Sequence, residues 1–247
     1  MKVLVLSGTG DGRTLVAALR AAGLEVVESV AGRTASSRGL DGVRAGGFGG
    51  ADGLAAWLVE HRVDAVVNAT HPFAARMSAH AADACVRVGV PLARWVRPSW
   101  RARPDAPSWA WVPDHDAAAV AAAGHGRVLL TVGRQELGAY FVLPDVVARV
   151  TEPAPGWVTP PGWELLMSRG PFEVAAETEL LAGHRIRVLV SKDSGGAATA
   201  AKLDAAAALG VRVVMVARPA GPDGVPEFAA AGEVLDWCAG VAPRGAT

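Results

Sequence analysis

Short, wholly apolar runs and helically spaced stretches alternate from the second residue of this chain onward, and nothing else in the sequence narrows the fold as far. Residues 2–6 (KVLVL) have no polar face, as in a strand covered on both sides, and end at Ser7-Gly8. Residues 13–22 carry apolar side chains at helical spacing and stop at Gly23, a residue suited to a helix C-terminus. Strands are then expected at 26–30, 43–45, 65–69 and 91–96, with helices at 54–61 and 73–88 between them. The stretch 97–113 holds four prolines and three tryptophans and has no helical period. After it the alternation resumes, with helices expected at 116–123, 135–140, 172–181, 199–209 and 227–238. The intervening strands are expected at 128–132, 146–150, 187–190 and 211–216. Such alternation reads as βαβ units and parallel sheets. The expectation is an α/β protein of two Rossmann-like, doubly wound parallel-sheet halves, 1–97 and 98–247, without an internal sequence repeat.

Composition removes several classes of function. Half the chain (51%) is apolar and 19% is charged, which excludes wholesale disorder. Lys plus Arg equals Asp plus Glu at 24 each, so nothing argues for nucleic acid or an anionic membrane surface as partner. Gly, Pro or charged residues interrupt every stretch before the ~18 apolar residues of a membrane span, and the start has too short an apolar run for a signal peptide. Cys85 and Cys238 stand far apart with no CxxC, which fits a reducing compartment. A cytoplasmic monomer is expected. Only three lysines occur, Lys2, Lys192 and Lys202, and two of them share one short segment. Arginine does not replace lysine where a compact single-point ammonium is required.

In open α/β sheets ligands bind beyond the carboxyl ends of the strands, so the residues after each strand carry the functional argument. Gly8-Thr9-Gly10-Asp11-Gly12-Arg13 joins the first strand to a helix, where glycines admit a pyrophosphate and the helix supplies free N–H groups. The pattern departs from G-x-G-x-x-G, because the third glycine comes one position early. After the second strand, Arg33 and Arg38 with several hydroxyl residues suit the 2′-phosphate of NADPH, while Glu28 would suit the ribose hydroxyls of NADH. Alternation in VVESV leaves the direction of Glu28 open. The strand at 65–69 runs into Thr70-His71-Pro72, which is either a ligand contact or the cap and first turn of a helix. In the second half, 131–135 (TVGRQ), 168–172 (SRGPF) and 191–202 (SKDSGGAATAAK) are polar and glycine-bearing. The last is the richest segment of the chain.

Absences narrow the chemistry. Tyr140 is the only tyrosine and no YxxxK pair exists, so the acid–base device of short-chain dehydrogenases is missing. Neither G-x-S-x-G nor a P-loop occurs. The histidines have no metal-ligand spacing, so no metal cofactor is expected. The tryptophans are expected mostly in packing, with those at 95–111 also able to flank a large flat ligand.

The segments LSGTGDGR, SVAGRT, NATHPFAA, LLTVGRQEL, SRGPF and VSKDSGGAATAAKLDAA followed by VVMVARP, in that order, resemble the precorrin-6A reductases of cobalamin biosynthesis. The resemblance spans nearly the whole chain. It implies reduction of precorrin-6A to precorrin-6B, with hydride passing from NADPH to the C18=C19 double bond in a cleft between two Rossmann-like halves. Twenty-one arginines suit a macrocycle rich in carboxylates. An electron-poor ring delocalises incoming charge itself, so the protein has mainly to position two flat rings and stabilise charge. On this basis Gly8, Thr9, Gly10, Asp11, Gly12 and Arg13 are expected at the cofactor's phosphates and Ser29, Arg33 and Thr34 at its adenosine end. Thr70, His71 and Pro72 are expected near the nicotinamide ribose. Gly133, Arg134, Arg169, Gly195, Gly196 and Thr199 are expected around the substrate, and Lys192, Asp193, Ser194 and Lys202 at the reacting centre, with either lysine nearest the developing charge. Two other functions fit the same pattern: a reductase of cobalt-precorrin-6A, and a non-catalytic NADP(H)-binding regulator.

Overall fold

The computed structural model describes residues 1–31 and 42–243, so the expectations placed on Arg33, Thr34 and Arg38 lie outside the described residues. In chain order the elements are β1 (Lys2–Leu6), α1 (Gly10–Ala21), β2 (Glu25–Val30), β3 (Val43–Ala45), α2 (Gly50–Glu60), β4 (Ala65–Asn68), α3 (Ala75–Val88) and β5 (Leu92–Trp95). There follow β6 (Ala110–Val112), α4 (His115–Ala122), β7 (Val128–Leu130), β8 (Val146–Val150), β9 (Trp163–Met167) and α5 (Val174–Gly183). The chain ends with β10 (Val188–Lys192), α6 (Ala201–Leu209), β11 (Arg212–Val216), β12 (Glu227–Phe228) and α7 (Ala231–Ala239). Contacts divide them into two compact units, Met1–Arg97 with Pro219–Thr247, and Pro98–Arg218.

Among the described residues the first unit carries a six-stranded, all-parallel sheet in the order β3-β2-β1-β4-β5-β12. This is the Rossmann order, with strand direction of winding reversing between β1 and β4. Odd and even residues of β1 point to opposite faces, and both faces are covered. Val3 and Val5 pack with Leu15, Val16 and Leu19 of α1 and Val234 of α7, whereas Leu4 and Leu6 pack with Leu54 and Leu58 of α2 and Ala81 and Ala84 of α3. Each fully buried leucine stabilises the fold by roughly 1.5–3 kcal/mol relative to exposure. That is why the central strand tolerates no polar face.

The second unit repeats the architecture, with order β6-β11-β10-β7-β8-β9, again all parallel. Read from the other edge, β9-β8-β7-β10-β11-β6 is the same winding, reversing between β7 and β10. In each sheet the sixth position is filled out of turn. The first unit takes β12 from the far end of the chain, and the second takes β6 from its own first residues.

This arrangement corrects the expected limits of the second half. Residues 219–247 were expected within it, yet from Pro219 onward the chain belongs to the first unit. Backbone bonds carry it there: Arg94 N–H donates to Pro226 O (2.8 Å) and Val96 N–H to Phe228 O (2.8 Å), and Arg94 pairs with Glu227. The helix expected at 227–238 therefore splits into β12 and α7. Ala230 has no side-chain acceptor, and Glu233 reaches back to accept from the N–H groups of Ala229 (2.9 Å) and Ala230 (2.8 Å), starting α7 there. Besides β12, two strands were not foreseen: β6 lies inside the Trp/Pro stretch and β9 follows the Pro-rich loop. Both are edge strands, where short runs and nearby prolines are tolerated. The expected helix at 135–140 is only a 3-10 turn, Leu137–Tyr140.

Candidate active site

In the first unit the loops after β1 and β4 flank the point where the winding reverses. Thr9 is extended and caps α1, its Oγ1 accepting from Gly12 N–H at 3.1 Å. Gly12 is buried, and a Cβ there would lie 2.7 Å from Ser7 Oγ and 3.4 Å from Ala69 O. Its glycine therefore serves close helix–strand packing, the task of the third glycine in a dinucleotide fingerprint, despite the shortened spacing. Gly8 (φ +143°) and Gly10 are exposed above it, which leaves the backbone of the turn open at the N-terminus of α1. Asp11 pairs with Arg97 at 3.1 Å, and Arg13 is exposed.

After β4, Asn68 orders the turn. Its Nδ2 donates to Ser78 Oγ (2.9 Å), while its Oδ1 accepts from both the N–H (3.1 Å) and the Oγ1 (2.7 Å) of Thr70. His71 Nδ1 accepts from Phe73 N–H at 3.2 Å, so neutral His71 carries its proton on Nε2. Pro72 is buried. At the end of β2, Ser29 is buried and its Oγ lies 3.4 Å from Nη1 of Arg44, its partner on β3. Arg44 is further held by the carbonyls of Gly46 (2.7 Å) and Gly47 (2.9 Å) and lies 3.7 Å over the Phe48 ring. Sequence reasoning missed Arg44, because only the register of β2 and β3 brings it beside Ser29. Glu28 is buried, and its Oε1 has no hydrogen-bond partner among the described residues.

In the second unit β7 and β10 flank the corresponding reversal. Thr131 donates through both N–H and Oγ1 to Val190 O, each at 3.0 Å, and locks the end of β7 to β10. Gly133 (φ +90°) is exposed, and a Cβ there would lie 4.0 Å from Lys192 Nζ. Lys192 is the last residue of β10; burial pulls its ammonium below the usual lysine range, and Glu136 opposes this. Beside it, His115 Nδ1 lies 2.7 Å from the hydroxyl of fully buried Tyr140, and His115 Nε2 lies 3.9 Å from Glu136. Burial raises the Tyr140 hydroxyl and lowers the His115 imidazole, keeping both neutral near pH 7. The sequence offered no spacing that would join these three residues. Arg134 donates to Pro153 O (3.1 Å) and approaches Glu152 (3.6 Å), while Arg169 is exposed.

The glycine-rich segment resolves into distinct roles. Asp193 is buried and its carboxylate is committed: Oδ2 accepts from Ser99 Oγ (2.6 Å) and meets Arg218 Nε (3.1 Å), and Oδ1 accepts from Trp100 N–H (2.9 Å). It ties residues 99 and 100, near the start of its unit, to Arg218, the last, which is a positioning task. Ser194 is buried, with its N–H donating to Lys192 O (2.6 Å). Gly195 and Gly196 take positive φ (+64° and +80°) and turn the chain into α6. Thr199 Oγ1 is buried without a partner among the described residues. Lys202, in the first turn of α6, is 5% exposed beside a buried Arg149–Glu177 ion pair. Trp100 and Trp109 are packed in this core, and Trp111 is capped by Arg101 at 3.9 Å, so their faces are occupied by protein.

Among the described residues no group of three potential metal ligands occurs, and no helix is long and apolar enough to cross a membrane. Residues 2–239 match the family model described as precorrin-6x reductase CbiJ/CobK. The chain is 48% identical over 223 residues to a precorrin-6A reductase of Rhodococcus erythropolis, covering 88% of this chain and 89% of the relative. It is 44% identical to one of Mycobacterium tuberculosis, covering 98% and 99%. A cobalt-precorrin-6A reductase of Priestia megaterium is 30% identical, covering 88% and 90%. A solved structure of CobK precorrin-6A reductase superposes with a TM-score of 0.87 at 38% identity, covering 99% of each chain. With a family model matched over residues 2–239, a matching fold and near-full-length similarity, this chain belongs to the precorrin-6x reductase CbiJ/CobK family.

Proposed function

We propose that this protein reduces precorrin-6A with NADPH as hydride donor, the first unit holding the cofactor and the strand-end edge of the second meeting the macrocycle. The chain is more alike to relatives named as precorrin-6A reductases than to one named for the cobalt-bearing substrate: its identity is 44–48% with the precorrin-6A reductases above and 30% with the cobalt-precorrin-6A enzyme. The observation that carries the cofactor reading is the open glycine turn at α1, where Gly12 brings helix and strand into contact and leaves Gly8 and Gly10 uncovered. Bound NADPH would supply the hydride from nicotinamide C4. The N-terminus of α1 and the backbone of residues 8–12 suit its pyrophosphate. The Nε2–H of His71 suits its ribose and phosphate oxygens, and Thr70 Oγ1, whose own proton goes to Asn68, suits a ribose hydroxyl as an acceptor. Arg44, already oriented by two carbonyls beside Ser29, suits a 2′-phosphate. In the second unit Lys192, Arg134, Arg169 and Lys202 supply positive charge for the carboxylates and developing anion of the substrate.

Glu28 sets the competing outcome, since its buried, unpartnered oxygen is the acceptor a ribose 2′-hydroxyl would meet in an NADH site. Titrating the protein with each cofactor by calorimetry separates the two. NADPH is expected to bind at least tenfold tighter than NADH. Arg44→Ala is expected to weaken NADPH by about 10- to 100-fold and NADH by less than threefold, in line with loss of a charge-assisted contact. Equal affinity of the wild-type protein for both cofactors would assign the adenosine end to Glu28 instead.

A further inference from the structure

Saturating a C=C bond takes two hydrogens of different kinds. One carbon receives hydride and the other a proton, so each turnover consumes a proton from a group at the site. No tyrosine–lysine device supplies it, and Tyr140 is fully buried with its hydroxyl bound to His115. Lys202 has the required combination of position and poor neutralisation. It lies in the first turn of α6, just beyond the carboxyl end of β10, on the edge of the sheet where ligands bind. It is 5% exposed, yet among the described residues it makes no hydrogen bond and no ion pair. The Trp100 ring lies 5.4 Å from its Nζ, measured to the centroid.

The charged groups that act on it lie on β8, α5 and β10. Arg149 on β8 and Glu177 on α5 form the buried ion pair beside it, and Lys192 on β10 adds a second ammonium. Asp204, on the same helix, is engaged by Arg103 at 2.7 Å. Glu177 gives one carboxylate oxygen to Arg149, and its Oε2 is buried without a partner among the described residues. So is Thr199 Oγ1, three residues before Lys202. A buried cation with an incomplete shell, beside a carboxylate with one oxygen left over, is costly as structure alone.

We propose that Lys202 donates the proton that accompanies hydride in the reduction of the macrocycle, and that Glu177, paired to Arg149, is a positioning residue that keeps Lys202 charged. The proposal rests on the reading that the second unit's strand-end edge meets the substrate. In balance, hydride adds to one carbon of C18=C19, the N–H bond of the Lys202 ammonium breaks, and its proton adds to the other carbon. The neutral amine left behind regains a proton from water. Burial, then Arg149, pull the Lys202 ammonium down to about 7, with Glu177 opposing them and Lys192 adding to them. It can therefore give and regain a proton at neutral pH.

The test compares wild type, Lys202→Met, Lys202→Arg, Glu177→Gln and Glu177→Asp in anaerobic turnover of precorrin-6A from pH 5.5 to 9. Thermal melting and NADPH affinity of each protein report on folding. Wild-type kcat should fall as pH rises through about 7. Lys202→Met should lose at least 100-fold in kcat with NADPH affinity within twofold, and Lys202→Arg should lose nearly as much, because guanidinium retains charge but does not release its proton. Glu177→Gln should move the descending limb of the pH profile about one unit lower, and Glu177→Asp should restore it. A Lys202→Arg variant with more than a tenth of wild-type kcat would show that charge alone suffices and would overturn proton donation. An unshifted limb in folded Glu177→Gln would remove Glu177 from the proposal, and Lys202 is judged by its own variants if that protein does not fold. Should wild type turn over with NADH instead, the cofactor reading fails separately and the same comparison is made with NADH.

Discussion

At pH 6, Lys202→Met is expected to be more stable to urea than the wild-type protein by on the order of 3 kcal/mol. The side chain is all but fully buried, and burial pulls its ammonium from 10.5 to about 7. Between those values the unfolded chain binds a proton that the folded protein does not, so wild-type stability rises with pH across this window. Below about pH 7 the folded protein carries the full cost of a desolvated ammonium; near pH 10 most of that cost is gone. Methionine fills a similar volume without charge. The gain from Lys202→Met should therefore be largest at pH 6 and shrink towards pH 10. Paired urea melts at pH 6 and pH 9.5 measure it, and a variant of equal or lower stability at pH 6 would contradict the buried, unneutralised lysine. A residue that lowers stability while sitting at the ligand-binding edge is retained for function.

Glu177→Ala is expected to act in the opposite direction, costing about 3–5 kcal/mol at pH 7. Glu177 is 2% exposed and Arg149 6%, and removal of the carboxylate leaves a guanidinium buried among Phe172, Lys202 and the strands of the second sheet. Lys202 then faces the Arg149 and Lys192 cations with the Glu177 carboxylate gone. Combining Glu177→Ala with Arg149→Met should recover most of the loss, since no charge is then left unpaired. A single variant within about 1 kcal/mol of wild type would show that the pair is far better hydrated than its burial indicates.

Much of this architecture was legible in the sequence, because the signal was local. Residues 2–6, 65–69 and 146–150 read as strands, the first with no polar face, and they form the inner strands β1, β4 and β8. The elements that escaped notice depend on distant partners. β6 and β12 are two- or three-residue strands that exist through pairing with β11 and β5, more than a hundred residues away in each case. No window of sequence contains that information. For the same reason residues 219–247 read as a continuation of the second half, although the pairing of β12 with β5 returns them to the first unit.

The candidate site divides in the same way. Loops after strands were visible as glycines, hydroxyls and lysines: Thr9 and Gly12 lie at the start of α1, Lys192 ends β10 and Lys202 is in the first turn of α6. Arg44, the His115–Tyr140–Glu136 group and the Arg149–Glu177 pair were not visible, being assembled by sheet register and helix packing. One signal was available for Arg149: a charge inside a five-residue buried strand requires a buried partner. Asp193 shows the converse. Its place in the richest polar segment marked it for chemistry, whereas its carboxylate is bound by Ser99, Trp100 and Arg218.

The central claim is that the open glycine turn at α1 serves NADPH in the reduction of precorrin-6A, and anaerobic turnover tests it most directly. The purified protein is incubated with precorrin-6A and either NADPH or NADH, and cofactor oxidation and tetrapyrrole mass are followed together. The account predicts a gain of two hydrogens by the tetrapyrrole with stoichiometric oxidation of NADPH, and little change with NADH. An unchanged tetrapyrrole mass with both cofactors, in protein that binds NADPH, would contradict it.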